Sequence, residues 1–143
     1  MSTVNVVFWS QSGNTEAMAN AVGAGVTAAG GVANVVYVGD ASIDELKNAK
    51  AFALGCPAMG AEVLEEGEME PFVSDLEGFV SGKTIGLFGS YGWGDGQWMR
   101  DWVDRMTAAG ATVVNGEGVI CQDAPDGTAE AECQELGKAL AAV

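Results

Sequence analysis

A chain of 143 residues, 48% of them hydrophobic, is long enough to bury about two-thirds of its unfolded surface around one core. Six basic residues against twenty acidic ones give a formal net charge of −14, which repels duplex nucleic acid and anionic membranes. The sequence contains no histidine, which excludes hydrolase chemistry built on serine–histidine or cysteine–histidine pairs.

The opening MSTVNVVFWS has no basic n-region, and no apolar stretch approaches the ~20 residues of a membrane-spanning helix. Cys56, Cys121 and Cys133 show neither Cys-x-x-Cys spacing nor a disulfide framework, so they are expected to be reduced. A cytoplasmic monomer without membrane contact is the expectation.

Residues 4–9 form an apolar, β-branched run that predicts a first strand. After Thr15, Met18, Val22 and Val26 fall at i, i+4, i+8 and predict a helix. Gly23 and Gly25 inside it are expected to let the helix lie close on a sheet. Residues 33–38 (ANVVYV) predict a second strand, and Ser42 with Glu45 forms a capping box before a second helix. A third strand is expected at 51–54 (AFAL), then a helix through Met69, Phe72, Val73 and Leu76. A fourth strand at 84–88 (TIGLF) precedes a helix through Trp98, Trp102 and Met106. The run 112–121 (TVVNGEGVIC) reads as one fifth strand, followed by a last helix through Cys133, Leu136 and Leu140. Strands apolar at successive positions are buried on both faces, so this β-α alternation predicts a doubly wound parallel sheet in one domain, 1–143. Its ligand site should lie beyond the carboxyl ends of the strands.

The first such loop, SQSGNT, joins the first strand to the first helix. Backbone N–H groups at that helix start, with the hydroxyls of Ser10, Ser12 and Thr15, suit an anion such as a phosphate. No GxxxxGK[ST] or GxGxxG pattern occurs, so nucleoside triphosphates and dinucleotides are disfavoured. A receiver domain would need clustered acids where this chain reads FWSQS. The loops after the third and fourth strands each carry one large side chain among glycines, Met59 and Trp93, between which a planar ring could be held.

With these three loops the sequence resembles the flavodoxins, specifically short-chain members with methionine in the second loop and tryptophan in the third. The matching segments are SQSGNT, AMG with the following EVLEE, and GSYGWGDG. The resemblance covers the whole chain. It implies a five-stranded sheet in the order 2-1-3-4-5 and a flavoprotein that is an electron carrier rather than an enzyme. Its FMN, held non-covalently, would shuttle at low potential between semiquinone and hydroquinone. Soluble redox proteins with basic docking surfaces would be its partners.

Carried onto this sequence, the resemblance puts Ser10, Gln11, Ser12, Gly13, Asn14 and Thr15 around the FMN phosphate. Pro57, Ala58, Met59, Gly60 and Glu62 would line one side of the isoalloxazine, with Ser90, Tyr91, Gly92, Trp93, Gly94 and Asp95 on the other. Met59 and Trp93 would flank the ring, Glu62 would accept from flavin N3 and Gly60 would adjoin N5. The peptide between Met59 and Gly60 is expected to rotate and present its carbonyl to N5, since glycine tolerates positive φ. Ala61 departs from the polar residue common in relatives, and Asp123 stands where an amide is expected. No metal site is expected. The alternatives are an FMN-dependent NAD(P)H:quinone-type oxidoreductase of the same fold and a non-redox module that binds a phosphorylated partner.

Overall fold

The structure, a computed structural model, describes residues 3–143. In chain order its elements are β1 (Thr3–Phe8), α1 (Asn14–Ala28), β2 (Val32–Tyr37), α2 (Ile43–Asn48), β3 (Ala51–Gly55) and α3 (Met69–Leu76), then β4 (Thr84–Tyr91), α4 (Gln97–Ala108), β5 (Thr112–Val113), β6 (Val119–Gln122) and α5 (Gly127–Ala141). The sheet runs β2-β1-β3-β4-β5, all neighbours parallel, with β6 also pairing with β4. That is the expected 2-1-3-4-5 order.

The fifth position of the sheet differs from the expected unbroken strand. β5 pairs with Thr84 and Ile85, β6 resumes at Phe88, and residues 114–118 bulge out between them. The cause is the Asn115-Gly116 pair, whose φ values of 61° and 71° turn the chain within a short 3-10 segment.

The central strands face two cores. Val4, Val6 and Phe8 of β1 pack with Met18, Val22 and Val26 of α1 and with Cys133, Leu136 and Leu140 of α5. Val7 points the other way, among Leu46 of α2, Phe72 and Leu76 of α3, and Trp98 and Trp102 of α4. This alternation is why the strands read as continuous apolar runs: each successive side chain enters one core or the other.

The two glycines of α1 have different roles. A Cβ on Gly23 would stand 2.7 Å from Val35 Cγ2 on β2, so Gly23 does let the helix lie on the sheet. Gly25 instead meets the backbone of Gln134, and Gly137 of α5 meets that of Val22. The small residues thus also bring α1 against α5, which the sequence reading did not anticipate.

Candidate functional site

The carboxyl ends of β1, β3, β4 and β6 meet at one edge of the sheet. Single backbone bonds continue the ladder past the strand ends: Trp9 N–H donates to Gly55 O (3.0 Å), Ala58 N–H to Ser90 O (3.0 Å) and Asp123 N–H to Tyr91 O (2.8 Å). The loops therefore start from fixed positions. Between them lies a cavity of about 350 Å³, near the lower end of the ~300–1,000 Å³ of small-molecule sites.

Its wall consists of Trp9, Ser10, Gln11, Ser12, Asn14 and Thr15, then Pro57, Ala58 and Met59, then Ser90, Tyr91, Gly92 and Asp123. All three predicted loops contribute. Trp9 and Asp123 are the wall residues outside the predicted set, Trp9 as the strand end just before the cradle and Asp123 at the start of the loop after β6. Gly13, Gly60, Glu62, Trp93, Gly94 and Asp95 stand outside the enclosed wall.

Gly13 caps α1 in the left-handed region, φ 96°, and supplies no capping side chain. Ser10 Oγ accepts from Gly13 N–H at 3.1 Å, and Ser12 Oγ is 3.5 Å from Asn14 N, so each hydroxyl hydrogen stays available to donate. Thr15 is buried, and its hydroxyl pairs with that of buried Ser90 at 3.3 Å. The N–H groups of Thr15 and Glu16 have no protein acceptor among the described residues, as the first helical turn leaves them. No residue of the wall is basic. This donor set of amides and hydroxyls fits a phosphate held without a cation.

In the second loop, Met59 and Val63 close a tight turn by two backbone bonds, Met59 N–H to Val63 O (2.9 Å) and Val63 N–H to Met59 O (3.1 Å). Gly60 has φ 36° and Glu62 φ 56°. The Met59 carbonyl is thus already engaged. The expected switch at Met59–Gly60 would have to break that bond, whereas the Gly60 carbonyl of the next peptide accepts from no backbone donor among the described residues.

Farther along the loop, the Glu65 carboxylate accepts from the N–H groups of Gly67 (2.8 Å), Glu68 (2.7 Å) and Met69 (3.0 Å) at the start of α3. Burial alone would raise this carboxyl, but the three amides outweigh it and hold it below its ordinary value. Tyr37 donates to Glu68 Oε1 at 2.6 Å, and chiefly because of that bond its hydroxyl is pushed up to about 12. Cys56, beneath the loop, is pushed up to about 12 by burial and is no nucleophile.

The third loop is more open: Trp93 is 67% exposed, and Asp95 pairs with Arg100 at 3.1 Å. Trp98 below it anchors the strand ends, its indole N–H donating to Cys56 O at 3.1 Å.

Residues 6–136 match the family model described as Flavodoxin. The chain belongs to the flavodoxin family. It is 49% identical to a flavodoxin of Clostridium beijerinckii over 138 residues, covering 96% of this chain and 99% of that one. A flavodoxin of Megasphaera elsdenii is 47% identical over 138 residues, 96% and 98% of the two chains. The solution structure of two-electron reduced Megasphaera elsdenii flavodoxin superposes with a TM-score of 0.87 at 46% identity, covering 98% of this chain and 99% of that one. As a flavodoxin the chain is an electron-transfer protein rather than an enzyme, and the quinone oxidoreductase alternative is not favoured. No described helix is long and apolar enough to cross a membrane.

Proposed function

We propose that the whole chain acts as a single domain that carries one electron at a time on one non-covalently bound FMN, at low potential. FMN is the cofactor of the family, and the observation that carries its assignment to this cavity is the neutral phosphate cradle of Ser10–Thr15 beside an apolar wall. FMN supplies the redox chemistry when bound; the protein's residues hold it and set the energy of each added electron.

Ser10, Ser12 and Thr15 with the free amides of α1 would hold the phosphate. Pro57, Ala58, Met59, Ser90, Tyr91 and Gly92 would border the ring, with Gly60, Glu62, Trp93, Gly94 and Asp95 at its outer rim. Low potential follows from charge. Glu62, Glu65, Glu66, Asp95 and a phosphate without a basic partner all oppose added negative charge. Each such charge ~10 Å away at an effective dielectric of ~40 contributes roughly 0.8 kcal/mol, about 35 mV for one electron.

The exposed rim carries Val63 and Trp93 among Glu66, Glu68 and Asp95. Such a surface suits basic docking faces on separate redox proteins, met by the chain as a monomer. The three cysteines are unpaired, which suits a reducing compartment such as the cytoplasm.

Stepwise dithionite reduction of the purified protein, followed by absorbance, tests this reading. A yellow protein with two separated one-electron steps and no NADPH oxidation of its own is the expected result. A colourless protein that takes up no added FMN would favour the non-redox alternative.

A further inference from the structure

Cys56 precedes the second loop and Glu65 lies nine positions further on, yet the two are in contact at the neck of that loop. Glu65 N–H donates to Cys56 Sγ at 3.3 Å, and the thiol in turn donates to Pro57 O at 3.4 Å. A neutral thiol has one hydrogen to give and a sulfur that accepts, and here both are used. Fully buried, it stays protonated through the neutral range, since burial pushes it up to about 12.

Both ends of this contact are fixed. Cys56 N–H donates to Phe88 O at 3.1 Å, and Cys56 O accepts from the Trp98 indole at 3.1 Å; Gly89 leaves the room, because a Cβ there would overlap that carbonyl. Glu65 is held by the three amides at the start of α3. The Met59–Val63 pair forms a second rung inside the first. Only residues 60–62 lie beyond it, where Gly60 and Glu62 have positive φ. That tip touches α4 through a side chain, Glu62 Oε1 accepting from Gln97 N–H at 3.1 Å.

We propose that Cys56 and Glu65 form a clasp, a pair of positioning residues that closes the neck of the second loop, confines its movement to residues 60–62 and thereby sets the first one-electron potential. This rests on the FMN reading above. A loop open at its neck has more conformations and must be ordered afresh whenever its tip engages the ring. That cost falls on the redox state that the tip engages, so it moves a potential as well as the stability. A thiol that only filled space would affect stability alone.

Four side chains at position 56 separate these cases, all uncharged at pH 7, so the field on the ring is the same in each. C56S keeps a donor and an acceptor; C56A loses both and leaves space; C56V loses both and fills it, and it stands in for alanine if C56A does not fold. In the cofactor-free full chain, ¹H–¹⁵N hydrogen exchange of the Glu65 amide should be slow in wild type and C56S and about five-fold faster in C56A and C56V. In the FMN-loaded protein, redox titration should show the first one-electron equilibrium about five-fold less favourable in C56A and C56V, about 40 mV at 59 mV per tenfold, with C56S close to wild type.

Equal Glu65 exchange in all four proteins would overturn the clasp. So would C56S matching C56A, since packing would then explain both. A clasp present by exchange but with one first potential throughout would overturn the positioning role. Failure of the wild type to quench added FMN fluorescence would instead remove the FMN reading and with it the potential, while the cofactor-free exchange still decides whether Cys56 holds Glu65.

Discussion

Thr15 Oγ1 and Ser90 Oγ stand 3.3 Å apart in the interior, joining the first turn of α1 to the end of β4 across 75 residues of sequence. The pair ties the proposed phosphate cradle to the loop that borders the ring. With Ser90 donating to Thr15 Oγ1, the Thr15 hydrogen is the one left for a bound anion. Thr15→Val keeps the shape and removes a donor. FMN affinity should fall roughly ten- to hundredfold, the equivalent of one charge-assisted hydrogen bond, while riboflavin, which lacks the phosphate, should bind almost unchanged. Fluorescence-quenching titration of the cofactor-free protein with both ligands checks this; equal losses for the two would move the phosphate elsewhere.

Gly60 offers a perturbation confined to the backbone. Its φ is 36°, and nothing lies within 4 Å of where a Cβ would stand, so alanine meets no neighbour. The penalty is conformational, about 1 kcal/mol or more. If the Gly60–Ala61 peptide turns its carbonyl toward the ring on reduction, Gly60→Ala should lower the first one-electron potential by tens of millivolts, since about 1.4 kcal/mol corresponds to 59 mV. Binding of oxidised FMN should change much less. A redox titration at fixed pH reads the shift, and an unmoved first potential would leave Gly60 as a spacer.

The sheet and its helices were legible because each buried strand is apolar on both faces and each helix carries one stripe. TVVNGEGVIC misled for the same reason: apolar residues on both sides of Asn115-Gly116 masked a turn signal that, on its own, marks a break. The cradle was legible because hydroxyl and glycine residues cluster locally in SQSGNT. Trp9 was not, since it shares the apolar pattern of the strand that it finishes, and Asp123 was noted only as a departure from the expected amide and left out of the site set. The Glu62–Gln97 bond and the contact of Gly25 with α5 are tertiary relations that no local spacing records.

The acidic rim predicts how the protein meets its partners. Glu66, Glu68 and Asp95 are exposed on the same two loops that expose the apolar Val63 and Trp93. The association rate with a cationic redox protein should fall roughly tenfold or more from low to several hundred millimolar salt, as the Debye length shrinks below ~10 Å. Glu66→Lys should slow association at low salt and converge with wild type at high salt. Trp93→Ala should instead weaken docking at every ionic strength, because it removes contact area. Stopped-flow rates flat across this range would assign the excess acid to solubility alone.

Arg105 of α4 forks onto Glu70 of α3, Nη1 to Oε1 at 2.8 Å and Nη2 to Oε2 at 2.6 Å, and also reaches Glu77 Oε1 at 2.7 Å. The Arg105 bonds, opposed by burial, hold the Glu70 carboxyl below its ordinary value of 4.5. A carboxyl depressed in the folded state stabilises the protein fully above its unfolded pKa, and that contribution is lost as pH falls through the depressed value. The guanidinium is raised instead, so its share persists through the neutral and alkaline range. Because the Glu70 side chain is 41% exposed, screening limits the network to about 1 kcal/mol, a few degrees in Tm for a domain of this size. Arg105→Met keeps most of the apolar stem and removes the fork. In urea denaturation of the cofactor-free protein, the variant should be less stable than wild type by about that amount at pH 7, with the gap closing toward pH 3. A gap that stayed constant across this range would mean that Arg105 contributes through packing and not through charge.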